Sequence, residues 1–86
     1  MWIVELAFTE APERLAARPA HRALLTELHG KGIVRMAGPL AGDSGAVLVF
    51  DVQDRPELDR LLAADAYFTT PGVEVTRVRE WAPFLT

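Results

Sequence analysis

Apolar residues recur along this chain in two rhythms. In residues 2–8 they run almost without interruption. Trp2, Val4, Leu6 and Phe8 share one face of an extended strand, and Ile3, Glu5 and Ala7 share the other. Residues 10–17, which include Pro12, predict a short helical turn. Arg18 precedes Pro19 and is thereby biased away from helical angles. Pro19 suits the first position of a new helix, expected over residues 19–29 with Gly30 and Gly32 as its stop. Leu24, Leu25 and Leu28 form its apolar stripe, and the spacing carried one turn back lands on His21.

The extended rhythm returns in residues 33–38, which end at Gly38-Pro39, and again in residues 46–52. The latter run is apolar on both faces, as in a central strand. Residues 41–45, Ala-Gly-Asp-Ser-Gly, have turn chemistry. Asp54, Pro56 and Glu57 open a second helix with an Asp-x-x-Glu capping pattern. Its stripe is Leu58, Leu61 and Leu62, and the next position at that spacing is Asp65. Residues 66–70 predict a turn or short helix, Pro71-Gly72 a break, and residues 73–81 a last strand.

The resulting order, β-α-β-β-α-β, is that of a ferredoxin-like, split-βαβ α+β domain spanning residues 1–86. Both helices would cover one face of a four-stranded antiparallel sheet. The strands are apolar on both faces, so the uncovered face predicts a homodimer joined sheet to sheet. In this topology the helices run antiparallel. The start of the first and the end of the second then lie at one end of the domain, which brings His21 and Asp65 together. A carboxylate that accepts one imidazole N–H sets the ring's tautomer and leaves the other nitrogen to move a proton.

Composition narrows the functions. The 86 residues are half apolar, and they contain no cysteine, which excludes disulfides and thiolate metal sites. A domain of this size buries only about 60% of its extended-chain surface and is often supported by a partner. The net charge is −3 and there is a single lysine, Lys31, so nucleic-acid binding is not expected. No apolar run approaches the roughly 18 residues of a membrane span. The first residues lack the basic start and cleavage site of a signal peptide, and a cytoplasmic location is expected. No phosphate loop, nucleotide fingerprint or metal-ligand spacing is present, so no cofactor and no metal are expected.

Each candidate has a structural reading beside the functional one. His21 could be a core-edge histidine bonded to backbone, and Asp65 a cap for residues 67 and 68. His29, in the last helical turn, reads as solvated. Glu5 reads as a partner for Arg77 or Arg79. Pro39, Leu40, Ser44, Tyr67 and Phe68 are candidate pocket walls; Ser44 reads equally well as a turn serine, with nothing to activate it.

Arg18-Pro19-x-His21 before a leucine-rich helix, Gly38-Pro39, Asp65-x-Tyr67 and the closing Trp81-x-Pro83-Phe84 together resemble the YCII-related family. The resemblance runs over nearly the whole chain. It implies a dimeric α+β barrel and a candidate site at His21 and Asp65. It also implies a superfamily that includes lactone isomerases, cofactor-independent monooxygenases and a dehydrochlorinase of a chlorinated hydroxyhydroquinone. Where the family commonly has Asp-Pro before an aromatic residue, this chain has Asp65-Ala66-Tyr67, without proline's fixed φ. The expectation is a cofactor-independent lyase or isomerase acting on a small cyclic or aromatic oxygenated compound. The alternative is a non-catalytic module, small-ligand-binding or accessory.

Overall fold

A computed structural model describes residues 1–86. The chain runs β1 (Trp2–Phe8), α1 (Pro12–Gly30), β2 (Val34–Pro39), β3 (Gly45–Phe50), α2 (Arg55–Ala63) and β4 (Val73–Glu80), with short 3₁₀ turns at Ala41–Asp43 and Ala66–Thr69. The strands form one sheet in the order β2-β3-β1-β4, every neighbouring pair antiparallel. This is the ferredoxin-like split-βαβ arrangement. No helix is long and apolar enough to cross a membrane.

Strand alternation decides the core. Val4 pairs with Leu48 on one side and Val78 on the other, and Leu6 pairs with Ala46 and Val75. These residues face the helices. Val4, Leu6, Val34, Leu48, Phe50, Val52, Leu58, Tyr67 and Phe68 make the buried cluster, with Leu25, Leu28, Leu61 and Leu62 packed on it. The opposite face carries Ile3, Glu5, Ala7, Val47 and Val49. It turns polar toward β4, where Arg79 meets Glu5 at 3.1 Å. Val49 is nevertheless only 4% exposed. It lines a small groove with Trp81, Pro83 and Leu85 of the C-terminal tail.

The first helix departs from the expected break at Arg18. It is continuous from Pro12 to Gly30, with Pro19 inside it. Pro19 cannot donate to the Leu15 carbonyl, and Leu15 lies on the exposed side of the helix. The burial of Arg14, Ala17, His21, Leu25 and Leu28 on one side holds the helix together across the missing bond. Its last residue is Gly30, and Gly32 closes the end. Gly32, at φ +77°, donates to His29, and Ile33 donates to Leu28. That is the double bond of a Schellman end, with Ile33 and Leu28 both against the core. At the other end of α1, Gly72 has φ +92°, and a Cβ there would lie 2.8 Å from that of Ala11. Only glycine lets β4 start this close to the helix.

Asp54 caps α2 by accepting from the Glu57 N–H at 2.9 Å. The helix ends at Ala63, so Asp65 lies beyond it in extended backbone, at the head of the following 3₁₀ turn.

Candidate active site

The site grows from α1. On a continuous helix, residues 14, 18, 21, 25 and 28 repeat at spacings of four and three and share one face. Toward the core that face is leucine, and toward the sheet's end it is Arg14, Arg18 and His21. His21 is 8% exposed and Asp65 7% exposed. His21 Nδ1 lies 2.6 Å from Asp65 Oδ2. The other carboxylate oxygen, Oδ1, accepts from the Tyr67 backbone N–H at 3.0 Å. A carboxylate only accepts, so Nδ1 carries the proton in this pair. The backbone bond orients Asp65.

Aromatic rings immobilise the imidazole. Tyr67 stacks on it with centroids 3.9 Å apart and planes 12° apart, and Phe68 meets it edge-on at 5.4 Å. Nδ1 is taken. Nε2 has no protein partner and is not sealed off, and His21 lines the adjoining cleft. The cleft has a volume of about 570 Å³ and opens between α1 and the β2–β3 edge of the sheet. That size falls in the range of small-molecule sites.

A second cluster braces the end of the cleft. Asp43 Oδ2 accepts from Arg18 at 2.7 Å and from Arg14 at 3.2 Å. Asp43 has φ +55°, in the left-handed region, and follows Gly42 at φ +79° in a turn closed by the Asp43 N–H to Leu40 carbonyl bond. The hydrogen bond from Arg18 holds the Asp43 carboxyl below its ordinary pKa; desolvation opposes this, and Arg14 adds to it. Arg14 is buried, with its guanidinium 4.4 Å over the Phe8 ring. Burial disfavours its charge, but the Tyr67 phenol and the Asp43 carboxylate more than offset that, and its pKa is raised. Its Nε and Nη1 have no hydrogen-bond partner.

Of the residues singled out by sequence, His21, Asp65, Tyr67 and Phe68 come together, and Pro39 lines the cleft. Leu40, Ser44 and Phe68 do not line it: Leu40 is 48% exposed, Ser44 turns its hydroxyl to the Ala41 carbonyl, and Phe68 is buried against the imidazole. His29, read as solvated, is exposed and lines the cleft. Sequence reasoning missed Arg14, Arg18, Arg22 and Asp43. The signal for Arg14 and Arg18 was their spacing from His21, hidden by the expected break before Pro19. No three His, Asp or Glu side chains are grouped to hold a metal.

The fold and the cleft define a ferredoxin-like α+β domain with a buried His–Asp pair at the foot of a small-molecule-sized opening. The chain belongs to the YCII-related domain family, whose model matches residues 1–82. No curated protein matches it. Among solved structures it is similar to the 5-chloro-2-hydroxyhydroquinone dehydrochlorinase of Burkholderia phenoliruptrix in complex with 2,5-dihydroxybenzoquinone. That likeness has a TM-score of 0.61 and 18% identity, over 95% of this chain and 94% of the other. At that identity the likeness speaks for the fold.

Proposed function

We propose that this protein is a cofactor-independent lyase or isomerase that moves a proton on a small cyclic or aromatic oxygenated substrate, with His21 as the acid–base group and Asp65 as its orienting partner. The carrying observation is the buried 2.6 Å Nδ1–Oδ2 contact, which leaves Nε2 as the free nitrogen of a ring that lines the cleft. Nε2 takes a proton from the substrate. In an elimination, the electron pair so released expels an anion such as chloride, and His21 then gives its proton to water. In an isomerisation the double bond shifts and the proton returns to another carbon. Such assistance contributes about 10²–10⁴-fold to the rate. The dehydrochlorinase likeness makes chlorinated hydroxyhydroquinones the first compounds to screen, and the superfamily resemblance adds lactones to the panel.

The test is turnover on that panel by the wild type and by His21→Ala, with circular dichroism as the check on folding. Loss of turnover in a folded variant is expected. Unchanged turnover refutes the reading, as does a ligand that co-purifies and is released unchanged by a protein inert toward the whole panel.

We also infer that two copies meet through the open sheet face. Ile3, Ala7 and Val47 are only half-buried there, and Met36 is 63% exposed at its β2 edge. Sedimentation velocity at micromolar concentration should give a dimer, and a monomer would refute it.

A further inference from the structure

The cleft is cationic in an acidic protein. Its lining includes Arg18, Arg22 and Arg35 with Asp43 as the one acid, whereas the whole chain carries −3. Two of the three arginines are already engaged. Arg18 pairs with Asp43 at 2.7 Å, and Arg35 pairs with Asp51 at 3.3 Å. Arg22 has no carboxylate partner. It follows His21 directly in the chain and lines the same cleft. His29 lines the cleft too. It stands eight residues beyond His21, about 12 Å along the helix at 1.5 Å per residue, farther than one ring spans. Arg22 is therefore the one arginine of the cleft lining without a carboxylate partner.

We propose that the substrate is a ring compound bearing a carboxylate, and that Arg22 binds this anion while the ring lies against His21. This deepens the functional reading above and rests on it for the orientation of the ring. The anion site itself stands or falls separately. A guanidinium meets a carboxylate through two parallel N–H donors, which a carboxamide cannot match. Arg18, fixed by Asp43, shapes the cleft wall and adds to the local field. The cleft's positive charge draws the anion in from solution.

The probes are salicylate and its neutral analogue salicylamide, titrated by calorimetry and by amide chemical shifts, without reference to turnover. Salicylate should bind about tenfold tighter at low ionic strength, a modest ratio because the site is open to water. High salt should narrow the gap. Arg22→Gln should abolish most of the discrimination, with salicylamide binding unchanged, and Arg22→Lys should restore part of it. Arg22 is exposed, so these variants should fold as the wild type does. His21→Gln should keep the carboxylate preference, which separates failure of the anion site from failure of the proton-transfer reading. Equal affinities for the two probes would overturn the proposal. So would discrimination that survives Arg22→Gln, shifts confined to residues outside the cleft, or no binding of either compound.

Discussion

Asp65→Asn isolates the contribution of the His–Asp pair from that of the turn. The Tyr67 backbone N–H is a fixed donor at 3.0 Å from Oδ1. The asparagine must keep its carbonyl oxygen there, so its amide NH₂ faces His21 Nδ1. A donor facing Nδ1 requires the ring to accept at that atom, and the tautomer flips, placing the proton on Nε2. The cleft then meets an N–H instead of a lone pair. A hydrogen bond to a charged group contributes about 1.5–3 kcal/mol and a neutral one about 1, so Asp65→Asn should cost about 0.5–2 kcal/mol. For a domain of this size, that lowers Tm by about 2–16 °C. Asp65→Ala also strips the Tyr67 N–H of its acceptor, a cap loss of about 0.5–2 kcal/mol, and should be the less stable of the two. The assays are thermal denaturation and long-range ¹H–¹⁵N correlation spectra of the His21 ring. If the asparagine variant keeps its proton on Nδ1, or costs as much as alanine, the reasoning is wrong.

Three further substitutions test the surrounding frame. Pro19→Ala should stabilise the protein: a mid-helix proline costs about 3 kcal/mol, its unfolded-state benefit returns about 0.4–1, and a gain of about 2–2.6 should appear as a higher Tm. Gly72→Ala should cost about 1–3 kcal/mol in urea denaturation, because φ is +92° and the new Cβ meets Ala11. Asp43 has its pKa lowered from 3.8 by Arg18 and then by Arg14. Its contribution to stability is therefore full above pH 3.8 and is lost as pH falls through the lower folded value. The gap in stability between wild type and Asp43→Asn should close below pH 3.8, and a constant gap would refute that linkage.

Most elements could be read from local pattern. The alternation in residues 2–8, the Asp54 cap and the Pro71-Gly72 break each specify their own segment, and the observed strands and second helix agree with them within a residue or two. The first helix could not be read this way. Local rules for Arg18-Pro19 favour a boundary, and they lose to the burial of a stripe that extends on both sides of it. That one override concealed the cluster of Arg14, Arg18 and Asp43, whose members are 25 and 29 residues apart. It also hid the direction of the cleft, which opens beside β2 rather than over Leu40 and Ser44.

The amino-acid sequence by itself determined the order of elements, the ferredoxin-like topology, and the shared end of the domain for His21 and Asp65. Periodicity and turn chemistry act over a few residues, and the handedness of the βαβ unit does the rest. Only the tertiary structure decided which oxygen of Asp65 meets which nitrogen of His21, that Tyr67 lies flat on the imidazole, and that Arg22 faces the cleft without a partner. Those are distances between side chains on different elements, set by how closely α1, the 66–69 turn and the sheet edge pack, and no spacing along the chain encodes them.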